Sequence, residues 1–202
     1  MSVRVKICGI TRSEDALAAA SAGFDAIGLV FVARSRRSVE PGLARAICRA
    51  LPPFVTRVGL FMDPDADQVQ RTLDEVPLDC LQFHGNESEA FCMQFGRPWI
   101  KALAMGGERL PDVSQHAQAD ALLLDSHGGG KMGGSGKTFD WQAIPALPRP
   151  WILAGGLHPG NVAEAIGRLK PDAVDVSSGV ERSPGIKDVN LINQFIKAVK
   201  NV

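Results

Sequence analysis

Eight short apolar runs recur along the chain, and segments with the pattern of a helix separate most of them. The runs occupy residues 3–8, 25–32, 54–62, 79–83, 98–105, 120–125, 150–156 and 172–177. Several are almost wholly apolar, as strands of a parallel sheet are when helices cover both faces. Helices are predicted at 11–23, Pro41–Leu51, Asp65–Glu75, Glu87–Phe95, Pro159–Leu169 and Val189–Val199. This alternation predicts an α/β fold built on parallel strands.

Eight strand–helix units suit a closed (β/α)8 barrel, the TIM barrel, although about 250 residues is the more typical length. We expect one compact catalytic domain over residues 1–202, with a long glycine-rich loop after the sixth strand. A doubly wound open sheet is the structural alternative, because the spacing of the strands does not distinguish a closed sheet from an open one. In both folds, ligands bind at the carboxyl ends of the strands.

The charge balance of the chain restricts the partners it is expected to have. The 22 Lys and Arg residues equal the 22 Asp and Glu residues, so no overall field favours nucleic acid or an anionic membrane.

The N-terminus lacks the apolar run of a signal peptide, and no stretch approaches the roughly 20 apolar residues that span a bilayer. The four cysteines show no CxxC spacing, which favours the reducing cytosol. These features predict a cytoplasmic protein with a small-molecule ligand.

Two residues that end predicted strands carry side chains suited to proton transfer. Cys8 is either a small buried apolar residue or, where its surroundings favour the thiolate, a general base. Asp125 either orders a loop or, with a raised pKa between apolar walls, donates a proton. His84 lies at another strand end and is a candidate substrate contact, whereas His116 is expected on a helix surface. The histidines have no metal-ligand spacing, so no metal site is predicted.

Two loops that contain glycine follow the seventh and eighth predicted strands. Their candidate phosphate-binding residues are Gly155 and Gly156 in the first loop and Ser178 and Gly179 in the second. Exposed backbone N–H groups in such loops cradle phosphate, and barrels frequently place a phosphate site after these two strands. Ordinary turn chemistry is the alternative, since glycine is common in turns.

The glycine-rich loop 126–139 partly matches two nucleotide-binding motifs. A Walker A loop requires glycine where Lys131 stands, and no helix follows the glycine run directly, as a dinucleotide-binding motif requires. A mobile lid over a site at the strand ends explains the glycines and Lys137 more simply. The loop therefore predicts a lid rather than a nucleotide site.

Seven segments of the chain resemble the phosphoribosylanthranilate isomerases. They are, in order, VKICGITRSEDA, LVFVARSRRSV, LQFHGNE, LLLDS, GGSGKTFDW, AGGLHPGNV and DVSSGVERSPGIKD. They occur in the order found in the family and are distributed along essentially the whole chain, and KICGIT with GGSGKTFDW and DVSSGVE is highly specific. The resemblance implies an Amadori rearrangement of N-(5-phosphoribosyl)anthranilate to 1-(2-carboxyphenylamino)-1-deoxyribulose 5-phosphate in tryptophan biosynthesis. It implies neither a metal nor an organic cofactor.

The resemblance also implies roles for individual residues. The cysteine of KICG, Cys8, corresponds to the general base, and the aspartate of LLLD, Asp125, corresponds to the general acid. Arg37 is expected to contact the anthranilate or to orient the substrate, and the glycine loops match the phosphate site of the family. This chain departs from the family at Ser38, where an aromatic residue is common, which is expected to loosen one wall of the anthranilate pocket.

Other functions remain possible from the sequence. A histidine-pathway aminoaldose isomerase is the nearest alternative, but that family typically uses two aspartates, where this chain has Cys8. A chain that accepts both substrates also fits the sequence. A nucleotide-binding protein built on loop 126–139 and a non-catalytic barrel are further alternatives; Lys131 counts against the first, and the pair Cys8 and Asp125 against the second. The sequence does not distinguish a monomer from a homodimer.

Overall fold

Eight parallel strands close into a barrel in the order in which they occur in the chain. The computed structural model describes residues 3–106, 111–125, 147 and 150–202. The barrel strands are β1 Arg4–Cys8, β2 Ala26–Val30, β3 Thr56–Phe61, β4 Cys80–Phe83, β5 Trp99–Ala104, β6 Ala121–Asp125, β7 Trp151–Ala154 and β8 Ala173–Val176. Strand β8 returns to β1, with Arg4 paired to Ala173 and Ile7 to Val176. This closing pair confirms the predicted TIM barrel and excludes the open sheet.

Helices cover the outside of the barrel. They are α1 Ser13–Ala22, α2 Pro41–Ala50, α3 Ala66–Glu75, α4 Glu89–Met93, α5 Val162–Leu169 and α6 Val189–Lys200. A 3-10 turn, Val113–His116, lies between β5 and β6. A short antiparallel hairpin that the sequence did not predict, β9 Glu181–Ser183 with β10 Ile186–Lys187, follows β8. The predicted lid, 126–139, lies outside the described residues.

Local chemistry explains where several helices begin and end. Asp65 is the N-cap of α3 and Asp188 is the N-cap of α6. Each side chain accepts hydrogen bonds from backbone N–H groups of the first turn that have no partner within the helix. Gly23 ends α1 in the left-handed conformation, with φ of 103°. Helix α4 is shorter than the predicted 87–95 because Ser88 caps it at Glu89, leaving the Glu87 side chain to bind elsewhere. No helix in the described part of the chain is long and apolar enough to cross a bilayer.

Alternation along each strand divides the core in two. One set of side chains, such as Ile7 and Leu29, packs outward against the helices. The other set fills the barrel interior, where Val58, Ile100 and Leu123 form an apolar layer. The carboxyl ends of the strands lie above this packed interior, which places the ligand site at that end of the barrel.

Candidate active site

A cavity of about 1000 Å³ opens at the carboxyl ends of the barrel strands. Most of the residues predicted from strand ends and loops line it, namely Cys8, Arg37, His84, Asp125, Gly155, Gly156 and Ser178. Gly179 lies immediately beside Ser178 in the same loop. The structure therefore brings together side chains that are up to 170 positions apart at one rim of the barrel, where parallel α/β folds bind ligands.

Cys8 ends β1 with its thiol inside the barrel mouth. Burial raises the pKa of this thiol, whereas the ammonium groups of Lys6 and Lys187 lower it, and the result lies above the ordinary value. Its neighbour across the ladder is Gly28, and a Cβ there would lie 2.8 Å from the sulfur of Cys8. The absence of a side chain at Gly28 leaves room for the thiol.

The other three cysteines have the structural role that the sequence suggested. Cys48, Cys80 and Cys92 are buried free thiols that do not line the cavity. Burial raises the pKa of Cys48 to about 11 and that of both Cys80 and Cys92 to about 12. They therefore remain protonated at neutral pH.

Asp125 ends β6 across the barrel mouth from Cys8 and lies beside His84. The Oδ2 atom of Asp125 is 3.4 Å from Nε2 of His84. The other ring nitrogen of His84, Nδ1, is 3.1 Å from the side-chain Nε2 atom of Gln82. Gln82 is fully buried inside the barrel, and the sequence did not single it out. Gln82 contacts one ring nitrogen of His84 and thereby fixes the orientation of the imidazole. The other ring nitrogen faces the Asp125 carboxyl.

Arg37 lies beside Cys8 and is held by Glu181 of the C-terminal hairpin. Its Nε and Nη2 atoms donate to the two carboxylate oxygens at 2.8 and 2.7 Å, a bidentate pair. Burial raises the pKa of Glu181, but the hydrogen bonds from Arg37 and the charge of Lys187 lower it below its usual value. The pair fixes the guanidinium plane, and among the described residues no acceptor binds Nη1 of Arg37.

The loops after β7 and β8 present backbone rather than side chains to the cavity. Gly155 and Gly156 have φ of 85° and 66°, a conformation that favours glycine. A Cβ at Gly179 would overlap the carbonyl oxygen of Leu157, so the two loops are in backbone contact. Within the described chain, the N–H groups of Gly155, Gly156, Ser178 and Gly179 donate to no acceptor. Four such donors at one rim suit a bound anion.

A buried network orders the loops that follow β3 and β4. Glu87 accepts hydrogen bonds from the backbone N–H groups of Asp63 at 2.8 Å and of Gly85 at 3.0 Å. Lys101 donates to the Glu87 carboxylate at 2.7 Å and to the Gly85 carbonyl at 2.6 Å. This network fixes the backbone next to His84. A charged residue within the apolar run PWIKALAM was the only sequence signal for it.

The expectation for His116 can be compared with the structure. His116 was expected on a helix surface, which is wrong: the side chain is buried and packs edge-on against Trp99, with ring centroids 6.2 Å apart. It lies on the 3-10 turn and lines the cavity. Among the described residues, no cluster of three His, Cys, Asp or Glu side chains is arranged to bind a metal.

Comparison with known proteins identifies the relatives of this chain. The family model described as N-(5'-phosphoribosyl)anthranilate (PRA) isomerase matches residues 5–198. An N-(5'-phosphoribosyl)anthranilate isomerase of Acidithiobacillus ferrooxidans is 54% identical over 200 residues, covering 98% of each chain. The phosphoribosyl anthranilate isomerase structure from Thermotoga maritima has 44% identity and a TM-score of 0.88, covering 99% of this chain and 100% of its own.

A further solved structure of this type contains a ligand. It is a phosphoribosyl anthranilate isomerase in complex with reduced 1-(o-carboxyphenylamino)-1-deoxyribulose 5-phosphate. It is 40% identical, with a TM-score of 0.81, and covers 99% of this chain and 100% of its own. The similarity extends along the full barrel, including all the strand ends that form the cavity.

Proposed function

The chain belongs to the N-(5'-phosphoribosyl)anthranilate isomerase family, and we propose that Cys8 is the general base and Asp125 the general acid of its reaction. The enzyme is an isomerase of tryptophan biosynthesis that converts N-(5'-phosphoribosyl)anthranilate into 1-(2-carboxyphenylamino)-1-deoxyribulose 5-phosphate. The single observation that carries the proposal is that Cys8 and Asp125, on separate strands, line one cavity. Proton transfer at two atoms of one substrate requires this arrangement.

The substrate is a phosphorylated aminosugar, and the cavity offers a group for each of its two anionic ends. The four N–H groups of Gly155, Gly156, Ser178 and Gly179 bind the phosphate. The guanidinium of Arg37, held flat by Glu181, binds the anthranilate carboxylate through its remaining N–H groups. These two anchors place the ribose between them, at the barrel mouth where Cys8 and Asp125 lie.

The reaction starts with proton donation by Asp125 to the ring oxygen of the ribose. The bond between C1 and the ring oxygen breaks, and the lone pair of the anthranilate nitrogen forms an iminium ion. The iminium acidifies the proton on C2, which the Cys8 thiolate removes, and the electrons of that C–H bond give an enolamine. Tautomerisation to the ketone completes an isomerisation without net gain or loss of electrons. His84, 3.4 Å from Asp125, contacts the substrate beside the acid.

The raised pKa of Cys8 fits a base that acts after the ring has opened. In the free enzyme at neutral pH, burial keeps the thiol largely protonated. A positive charge about 4 Å away lowers the energy of a thiolate by about 4 kcal/mol at an effective dielectric constant of about 20. That energy corresponds to about three pKa units. The iminium ion formed beside Cys8 therefore favours release of the thiol proton to solvent through the open cavity, which leaves the thiolate that removes the C2 proton.

We further propose that residues 1–202 form one catalytic domain and that the enzyme works in the cytosol. A single barrel contains β1 to β8, and the last helix, α6, packs on the first, α1. All four cysteines are free thiols, as expected in a reducing compartment.

The direct test is turnover of freshly prepared N-(5'-phosphoribosyl)anthranilate, followed by the change in anthranilate fluorescence. The aminosugar of the histidine pathway is assayed in parallel. Conversion of the anthranilate compound by the wild-type enzyme supports the proposed assignment. Conversion of the histidine-pathway compound alone contradicts it, because the carboxylate-binding role of Arg37 would then have no ligand.

A further inference from the structure

Lys6 and Asp175 form an ion pair inside the barrel that the proposed reaction does not use. Their charged groups are 3.0 Å apart, and only 5% and 8% of the two side chains is exposed. The two residues face each other across the β1–β8 ladder that closes the barrel. Burying two charges costs several kcal/mol for each ion, so a pair in this position needs an explanation beyond packing.

The Lys6 ammonium lies directly below the proposed base. Lys6 and Cys8 are two positions apart on β1, so both side chains point into the barrel. Burial lowers the pKa of Lys6, but the charges of Asp175 and Cys8 raise it above the ordinary value, so the side chain carries its proton. Asp175 therefore keeps a positive charge in the interior at a place where an isolated lysine would lose it.

The other cations near Cys8, Lys187 and Arg37, are both bound to Glu181. Lys187 has three N–H donors, and it uses them on the carbonyl oxygens of Cys8 and Ser177 and on the Glu181 carboxylate. Arg37 is bound twice by Glu181. In contrast, within the described chain the Lys6 ammonium has no partner in hydrogen-bond geometry, and neither has Oδ1 of Asp175. The ammonium of Lys187 is thus fully occupied, whereas that of Lys6 has, among the described residues, only the ion pair with Asp175.

We propose that Lys6 is a positioning residue of the isomerisation: its ammonium, retained by Asp175, stabilises the Cys8 thiolate while the substrate proton is removed. The proposal rests on the role of Cys8 as the base. The charged groups that face the thiol are Lys6 from β1, Asp175 from β8, Lys187 from β10 and Arg37 from the loop after β2. Of these, Lys6 has the largest favourable effect on the thiolate.

The proposal is tested by titrating the Cys8 thiol in the wild-type enzyme and in Lys6→Met. The rate of alkylation of Cys8 by iodoacetamide is measured from pH 6 to about pH 11, with mass spectrometry of the Cys8 peptide as the readout. We expect the midpoint to rise in Lys6→Met, with alkylation at pH 8 slower by about tenfold or more. We also expect kcat to fall about tenfold or more with KM within about twofold, since substrate contacts remain. Superimposable alkylation profiles would overturn the proposal.

Lys101→Met is the matched control, because it also removes a buried lysine from an ion pair, here with Glu87 at 2.7 Å. The ammonium of Lys101 lies outside the barrel interior, bound to the loop after β4. A merely structural loss therefore appears in both variants as reduced stability. We expect the midpoint of Cys8 alkylation against pH to rise in Lys6→Met and to remain at the wild-type value in Lys101→Met. An equal shift in both contradicts a specific role of Lys6.

A double variant covers the case in which Lys6→Met fails to fold because Asp175 is left unpaired. Lys6→Met with Asp175→Leu replaces both charges by apolar groups, which is often neutral or stabilising for a buried pair. Because Lys6 lies two positions from Cys8 on the same strand, whereas Asp175 lies on the neighbouring β8, loss of the ammonium is expected to dominate and the alkylation midpoint is still expected to rise. An unchanged or lower midpoint overturns the proposal.

The roles of Lys6 and Cys8 can be separated with Cys8→Ser. If Cys8→Ser is inactive and Lys6→Met keeps its kcat, the positioning role of Lys6 fails while Cys8 remains the base. If Cys8→Ser turns over substrate normally, the proposed base is wrong, and the proposed role of Lys6 is wrong as well.

Discussion

Lys187 donates a hydrogen bond of 2.7 Å to the carbonyl oxygen of Cys8, so the last hairpin of the chain is tied to the end of its first strand. The two residues are 179 positions apart, and the Lys187 side chain is fully buried. The same ammonium binds Glu181, which in turn holds Arg37. The hairpin β9–β10 therefore supports both the proposed base and the proposed carboxylate-binding group, although its own strands have only three and two residues.

Replacing Lys187 is expected to destabilise the fold. Lys187→Met removes the hydrogen bonds that the buried ammonium donates to the carbonyl oxygens of Cys8 and Ser177 and to Oε1 of Glu181. We expect the free energy of unfolding in urea to fall by about 3 kcal/mol. Lys197→Met, on the exposed face of α6, is the control and should change it by less than about 0.5 kcal/mol. Equal stabilities of the two variants would show that the hairpin contact is not needed.

Glu181 is expected to make stability depend on acid pH. The pKa of its carboxyl is lower in the folded protein than the ordinary 4.5. The unfolded chain therefore binds the proton first, so this contribution to stability is complete above pH 4.5 and is lost as the pH falls through the folded pKa. We expect Glu181→Gln to be less stable than wild type at pH 7, with the difference shrinking below pH 4.5.

The matched control for Glu181 is Glu164, whose carboxylate pairs with Arg168 on the surface of α5. Glu164→Gln should leave the curve of stability against pH nearly unchanged, because exposed pairs contribute little. Urea unfolding at several pH values between 7 and about 3.5 measures both variants. A difference between Glu181→Gln and wild type that stays constant over this range would be the contrary result.

Gly28 is expected to be necessary for the position of the Cys8 thiol. A Cβ at Gly28 would lie 2.8 Å from the sulfur and 3.1 Å from the Cα atom of Cys8. Gly28→Ala should therefore displace the thiol, lower kcat by about tenfold or more, and cost about 1–3 kcal/mol of stability through overpacking. Gly167→Ala, on the exposed side of α5, should keep full turnover, because no atom of the described residues lies within 4 Å of the new methyl group. Normal kcat in folded Gly28→Ala would contradict the placement of the thiol.

Asp125 is expected to be essential for turnover but not for binding. Asp125→Asn keeps the shape of the side chain and removes the transferable proton, so kcat should fall by about 100-fold or more. The phosphate and carboxylate anchors are untouched, so the affinity for the product, measured by calorimetry, should change by less than about threefold. An active Asn variant would require a different acid, and His84, 3.4 Å away, is the next residue to test.

The strands and the rim of the barrel could be predicted from sequence because each depends on local pattern. The eight apolar runs coincide with β1–β8, and the rule that sites lie at the carboxyl ends of strands placed Cys8 and Asp125 at one cavity. The spacing of the strands alone did not distinguish a closed sheet from an open one, since closure depends on the pairing of Arg4–Ile7 with Ala173–Val176 at opposite ends of the chain; the count of eight strand–helix units and the family resemblance predicted the barrel.

The supporting residues of the site could not be predicted, because their partners are distant in sequence. Arg37 and Glu181 are 144 positions apart, and no motif links them before the barrel has closed. The hairpin that contains Lys187 is too short to show any periodicity. One signal was present: Lys6 and Lys101 are charged residues inside largely apolar strands, and both proved to be buried in ion pairs.

The most direct test of the acid–base assignment is a comparison of Cys8→Ser with the wild-type enzyme on N-(5'-phosphoribosyl)anthranilate, followed by anthranilate fluorescence. Serine retains the size of the side chain but is a far weaker acid than a thiol, so no base forms near neutral pH. We predict rapid conversion by the wild type and a loss of about 100-fold or more in Cys8→Ser, with unchanged urea unfolding. Near-normal turnover by a folded Cys8→Ser would contradict the account and remove Cys8 from the reaction.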